Sequence, residues 1–317
     1  DDVITMQEGF LKKLFRELMD IDIETPLPRL TWQEAMERYG SDKPDTRFGF
    51  ELKKLNHVVA GCGFKVFTDA LEKGGDVRGI CIDGGSAHFS RKDIDKLTES
   101  ARSYGAKGLV WIRVNEDEIN SSVNKFFDQE QLKEIAAVFE AKAGDLILIV
   151  SDRAKVVFDT LGFLRREIAG RMGLLDDKEY KLLWVVDFPL FEKDDETGEL
   201  KAMHHPFTSP KPEDIPMLDS APEKVKANAY DIVLNGVELG GGSIRIHDRE
   251  LQSKMFDILG LTKEEDPEKI EYDLMKVLPK DHWILYNIQI ITFGRAICFA
   301  RSPKCEACFL RDYCLEY

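Results

Sequence analysis

Apolar and polar positions follow two rhythms along this chain. From Gln7 to Met19 the apolar residues return at helical spacing, with Phe10, Leu11, Leu14, Phe15 and Leu18 on one stripe, which predicts an amphipathic helix. Pro26 and Pro28 close that region. Leu30–Met36 opens a second helix, with Thr31 as N-cap and Glu34 three residues on as its capping-box partner, and Gly40 stops it. From about residue 56 short β-rich runs take over, at His57–Ala60, Phe64–Thr68, Val77–Ile82, Leu109–Val114 and Leu146–Val150. They alternate with helical patterns at Ser90–Tyr104, Asp128–Phe139 and Lys155–Met172, so residues 56–180 read as an α/β module able to fold by itself. Lys181–Phe188 is a strand rich in aromatics and valines, and Ala221–Ala227 a short helix. Tyr230–Ile246 is a β-hairpin with Asn235-Gly236 at its turn, a pair whose backbone readily takes the positive φ of a two-residue loop.

The hairpin register places chemistry. With Asn235 and Gly236 as loop residues, Leu234 faces Val237, Val233 faces Glu238 and Asp231 faces Gly240. Asp231 and Glu238 then share a face as diagonal neighbours, roughly 7–8 Å apart at Cα. Two carboxylates at that spacing suit one hard cation such as Mg²⁺, which in turn binds phosphate. Gly240-Gly241-Gly242 lets a ligand approach the backbone, and Arg245 offers a planar fork for a carboxylate or phosphate. A solvent-facing hairpin with merely hydrated charges is the competing reading. Before it, Ser41–Arg47 is a charged loop with turn chemistry, and His204-His205-Pro206 lies in another loop.

Composition adds bounds. The 317 residues are 43% hydrophobic and 32% charged with a formal net charge of −14, ordinary for a globular chain of two or three domains and contrary to a generally phosphate-coating surface. No apolar run approaches the roughly 20 residues that span a bilayer, and no signal segment is visible at Asp1-Asp2-Val3-Ile4, which points to no membrane and a cytoplasmic location. Of six cysteines, Cys62 and Cys81 stand alone in apolar surroundings, as buried free thiols do. Cys298, Cys305, Cys308 and Cys314 cluster as Cys-x6-Cys-x2-Cys-x5-Cys, with Pro303 fixing a turn. Without a secretory signal this favours metal ligation over disulfides: a [4Fe–4S] cluster, with zinc as the rival.

Several strings together resemble a known family. Asn228–His247 (NAYDIVLNGVELGGGSIRIH), His204–Pro210 (HHPFTSP), Trp184–Pro189 (WVVDFP) and Arg38–Arg47 (RYGSDKPDTR) are similar to the bacterial-type aspartyl-tRNA synthetases, in the family's order over residues 1–265. The module between them resembles the GAD insertion domain of that family. The resemblance implies an α/β (α+β) fold: a partial class II synthetase antiparallel sheet with helices, an inserted GAD-type domain and a small helical Fe–S tail. Its parts would be residues 1–55 and 181–265 (catalytic domain), 56–180 (insertion) and 266–317 (tail).

It implies ATP-dependent activation of aspartate and transfer to tRNA. Asp231 and Glu238 would hold Mg²⁺ and ATP, Arg245 the side-chain carboxylate of aspartate, and Asp42 or Asp45 its ammonium, with His204 and His205 lining the pocket. The family's motif 1 (its dimer element), the motif 2 arginine, the Gly-Leu-Asp-Arg string of motif 3 and the anticodon-reading OB-fold are not found in these residues, so little or no aminoacylation is expected of this chain alone. The tail, with Lys276–Lys280 (KVLPK) and Gly294–Arg301 (GRAICFAR), resembles the C-terminal end of endonuclease III-type DNA glycosylases. There Arg301, Lys304 and Arg311 would meet nucleic-acid phosphates, although that family's catalytic lysine and aspartate are not found. The alternative function is therefore a non-catalytic Fe–S or nucleic-acid-binding protein.

Overall fold

The computed structural model describes residues 1–194, 197–261, 283–298, 304–308 and 310–311. It divides into two compact bodies, residues 1–247 and 248–317.

In the first body, α1 (Asp2–Met19), β1 (Arg29–Thr31) and α2 (Trp32–Tyr39) come first. The capping box at the start of α2 is in place, with the Glu34 amide donating to Thr31 Oγ1 and Glu34 Oε2 accepting from the Thr31 amide. α1 differs from its expected stripe. Its buried face runs through Ile4, Glu8 and Phe15, while Phe10 and Leu18, 58% and 75% exposed, lie on the outer side with Val3, Met6 and Leu14. The helix thus carries two apolar stripes, and a polar residue sits in the buried one. Glu8 is held there because its Oε1 accepts from the Trp184 indole at 3.0 Å and from the Leu27 amide at 3.1 Å.

The α/β module follows: β2 (Lys53–Lys54), α3 (Asn56–Val59), α4 (Lys65–Glu72), β3 (Asp76–Ile82), α5 (Gly85–His88), α6 (Arg91–Ser103), β4 (Val110–Val114), β5 (Ile119–Ser121), α7 (Gln129–Val138), β6 (Leu146–Asp152) and α8 (Ala154–Arg171). The strands form one antiparallel sheet in the order β2-β3-β6-β4-β5. Helices cover both faces, which explains the unbroken apolar run of β6. Leu146, Leu148 and Val150 face one core with Leu97 and Leu164, while Ile147 and Ile149 face the other with Phe67 and Leu132. The runs His57–Ala60 and Phe64–Thr68, expected as β, are helical instead. Both are short, and in α4 Phe67 alone is buried, a pattern that period-2 reading cannot separate from a strand.

The chain then returns to the first sheet through β7 (Leu182–Val186), adds a small hairpin, β8 (Phe191–Lys193) with β9 (Leu200–Ala202), and closes with β10 (Ala229–Leu234) and β11 (Val237–Ser243). The sheet order is β1-β7-β10-β11, with β1 parallel to β7 and the remaining pairs antiparallel. α1 packs on it through Ile4, Phe15, Trp184 and Ile232. The helix expected at Ala221–Ala227 shrinks to a 3₁₀ turn at Pro222–Lys224. The Leu190 amide donates to the Val225 carbonyl, and the Ala227 amide to that of Phe188, so this backbone is drawn into strand-like pairing. In the second body Arg249–Ile258 is a helix capped by Asp248, and Trp283–Ala296 is another. Among the described residues no helix is long and apolar enough to cross a membrane.

Candidate functional site

The end of the hairpin and two loops meet at a cleft of about 500 Å³ lined by Asp42, Lys43, Met203, His204, His205, Asp231, Glu238, Gly241, Gly242, Ser243 and Arg245. Six of the residues singled out from the sequence come together here, from three separate stretches of chain: Asp42, His204, His205, Asp231, Glu238 and Arg245.

The hairpin register is displaced from expectation. Leu234 faces Val237 and Val233 faces Glu238, but Ile232 then faces Gly240, so Asp231 lies opposite Gly241 rather than Gly240. Leu239 is the extra residue of a β-bulge, which bends the strand beside the carboxylates. Asn235 and Gly236 both have positive φ, 52° and 81°, as the two-residue turn requires. Gly241 is needed for another reason: a Cβ there would lie 2.0 Å from Asp231 Oδ1, so only glycine leaves the carboxylate its place.

Electrostatics sets these groups apart. Burial pushes the Asp231 carboxyl up to about 6, and the nearby carboxylates of Glu238 and Asp42 add to the shift, while Lys43 opposes it. Lys43 Nζ sits 3.0 Å from Glu238 Oε2, and that bond holds the ammonium above the usual lysine range. Burial holds both imidazoles below the usual histidine range; Arg245 adds to this at each, and Asp42 and Glu238 pull His204 the other way. His204 stands edge-on to Phe188 at 4.6 Å, and His205 Nδ1 accepts from the Phe207 amide at 3.1 Å. Arg245 extends beyond the hairpin, where its Nη1 donates to Thr208 Oγ1 at 3.2 Å, and the Ile246 amide donates to the Phe207 carbonyl.

Asp45 is elsewhere. It is buried, and its carboxylate accepts from Arg47 at Nε (3.0 Å), Nη2 (2.8 Å) and the backbone amide (3.2 Å), which holds it below the usual carboxylate range against the opposing cost of burial. Of the two loop aspartates, Asp42 lines the cleft and Asp45 does not. Lys43 was not singled out from sequence. Its charge between Asp42 and Pro44 was visible, but its distance to Glu238, 195 positions later, was not.

In the tail, the Lys304 amide donates to the Ile297 carbonyl at 2.9 Å, which draws the neighbours of Cys298 and Cys305 together. Cys305–Ala307 forms a 3₁₀ turn that carries Cys305 and Cys308 at its ends. Cys298, Cys305 and Cys308 are free thiols, and Lys304 and Arg311 are exposed. Cys314 and Arg301 lie outside the described residues. Among the described residues, only Cys81, Asp83 and Asp145 bring three possible metal-ligating atoms within 4.8 Å. That group is explained without a metal. Asp145 caps the Gly84 and Lys142 amides at 2.8 Å each, and burial pushes the Cys81 thiol up to about 12, so it stays protonated.

Comparison with known proteins decides the family. The profile of the class II tRNA synthetases (D, K and N) matches residues 1–278. The chain belongs to that family. It is 54% identical over 273 residues to the aspartate–tRNA(Asp/Asn) ligase of Lachnoclostridium phytofermentans, covering 86% of this chain and 46% of the relative. It is equally similar to the aspartate–tRNA ligase of Ruminiclostridium cellulolyticum, and 50% identical over 285 residues to that of Clostridium perfringens, covering 89% of this chain and 48% of the relative. The chain therefore spans about half the length of the curated relatives it matches. The class II synthetase match runs past residue 265, so 266–278, read from sequence with the tail, falls inside it. The iron–sulfur binding domain of endonuclease III matches a short stretch, residues 298–314.

Proposed function

We propose that this chain carries the aspartate pocket and the cation-binding carboxylates of an aspartate–tRNA ligase. The observation that carries this reading is the convergence of Asp42, Lys43, Asp231, Glu238 and Arg245 on one cleft. Arg245, oriented by Thr208, receives the side-chain carboxylate of aspartate. It selects aspartate over asparagine because an amide offers the fork one acceptor oxygen and sets its own NH₂ donor against the second N–H. Asp42 receives the substrate ammonium, and His204 and His205 line the pocket beside it. Asp231 and Glu238 fit a hard divalent cation: a carboxyl raised by burial beside a second carboxylate is an oxygen donor set short of positive charge, which Lys43 only partly supplies. Held by these two carboxylates, Mg²⁺ would supply charge neutralisation for the phosphate oxygens of ATP. The protein's own contribution is positioning, since adenylate formation is accelerated chiefly by alignment and charge neutralisation.

Titration calorimetry of the 317-residue chain is expected to show binding of aspartate and none of asparagine. Arg245→Lys should weaken aspartate at least tenfold, of the order of one lost charge-assisted hydrogen bond. ATP–pyrophosphate exchange should be little or none, as the phosphate-binding arginine motifs of the family are not found in these residues. Equal affinity for aspartate and asparagine would overturn the pocket assignment.

The cysteine tail supports a second, structural element in the same chain. We propose that Cys298, Cys305, Cys308 and Cys314 hold an iron–sulfur cluster that staples the tail, with Arg301, Lys304 and Arg311 facing nucleic-acid phosphates. Anaerobically purified protein should show a broad visible absorbance that reductant bleaches and Cys305→Ser abolishes. A colourless, zinc-loaded protein would refute it.

A further inference from the structure

One side chain of the α/β module links its core to the segment that follows α2, at Phe50, which packs against that core. Arg165, on α8, is 1% exposed and makes no ion pair among the described residues. Its donors go to backbone carbonyls of the segment after α2: Nε to Phe50 at 2.8 Å, and Nη2 to Gly49 at 2.7 Å and Asp45 at 3.5 Å. The guanidinium also lies over two rings, 4.9 Å from Tyr39 at the end of α2 and 4.7 Å from Phe48 in the segment. Phe50, which gives its carbonyl, is held at a left-handed φ of 59°.

The segment it enters is a closed loop. Arg38 pairs with Glu51 through two bonds of 2.9 and 2.7 Å, and the Leu52 amide donates to the Arg38 carbonyl, which ties the ends together. One turn before Arg165, α8 touches the loop backbone to backbone. A Cβ on Gly162 would lie 2.4 Å from the Gly40 carbonyl oxygen, and one on Gly40 would lie 2.5 Å from that of Phe158. Residues 45–50 therefore pack around a side chain from the α/β module while Gly40 rests on its helix, and the same loop presents Asp42 and Lys43 to the cleft. A buried guanidinium with no carboxylate bonded to it, Asp45 and Glu51 acting only through space, costs more than an apolar side chain of similar length, so filling space does not account for it. Its forked donors fix the orientation of the Gly49 and Phe50 carbonyls, the two short bonds, which an apolar side chain cannot do.

We infer that Arg165 is the positioning residue of the substrate loop, and that the module holds Asp42 and Lys43 at the cleft through Arg165 and the Gly40–Gly162 contact. The ligand named below rests on the aspartate reading; the positioning does not. The test compares Arg165→Met and Arg165→Lys with wild type in the full 317-residue chain by hydrogen–deuterium exchange, with calorimetry alongside. Both variants should exchange at least tenfold faster at residues 40–50, where the Lys43 and Arg47 amides are protected only by Ser41 and Asp45 side chains, while β6 and β10 stay as slow as in wild type. Aspartate affinity should fall at least tenfold and Mg²⁺ affinity should not weaken, because Asp231 and Glu238 stand on the hairpin. Unchanged exchange in the loop overturns the inference, and so does faster exchange everywhere, which marks a residue of general stability. If Arg165→Met does not fold, Arg165→Lys, which keeps charge and stem, decides. If wild type binds no aspartate, the pocket reading fails, and the exchange data still judge the positioning.

Discussion

Replacing Asp231 with asparagine separates what the site does from what it costs the fold. Asp231 is 8% exposed, and its carboxyl rises from an ordinary 3.8 to about 6 through burial and the two neighbouring carboxylates. At 1.36 kcal/mol per unit, a shift of about two units makes the ionised form about 3 kcal/mol less compatible with the folded state than with the unfolded one. Between about pH 4 and 6 the folded chain holds this proton more tightly, so stability falls as pH rises through that window and the full deficit stands above it. Asp231→Asn removes the charge. In chelator, the variant should be more stable than wild type by roughly 1–3 kcal/mol at about pH 7.5, and the advantage should vanish towards about pH 4. Urea unfolding at several pH values measures this, and a parallel titration should show Mg²⁺ binding lost. A variant no more stable than wild type above pH 6, or a difference that does not change with pH, would refute the reasoning.

Two further substitutions test the supports of the site. Gly241→Ala puts a Cβ where Asp231 Oδ1 now sits, so the carboxylate must move; Mg²⁺ affinity by calorimetry should drop at least tenfold, and an unchanged value would mean that Asp231 is not a ligand. Glu8→Ala strips the acceptor from the buried Trp184 indole and Leu27 amide and should cost about 2–5 kcal/mol in a denaturant melt, whereas Glu8→Gln, which keeps a carbonyl oxygen, should cost much less.

Local chemistry determined much of this protein from sequence. The capping box at Thr31 is set by residues three apart and forms as expected, and the same local chemistry starts the helices after Ser90 and Asp128. The Asn235-Gly236 turn is set by two residues that tolerate positive φ, and it fixed the pairing of Val233 with Glu238. The distinctive strings around it marked the family before any coordinates. Tertiary structure decided the rest, because the deciding contacts join residues far apart in the chain. The bulge at Leu239 moved Asp231 opposite Gly241, a displacement that pattern alone does not encode. Two apolar stripes on α1 competed for one interior, and the Trp184 indole chose the one containing Glu8. Asp42 and Asp45 are interchangeable in a charged loop until Arg47 takes Asp45 and the cleft takes Asp42. Arg165 is one more arginine on a helix until its guanidinium enters a loop 115 residues earlier. Sequence assigns a residue its chemistry, but a side chain acquires a task only from the partners that folding brings within its reach.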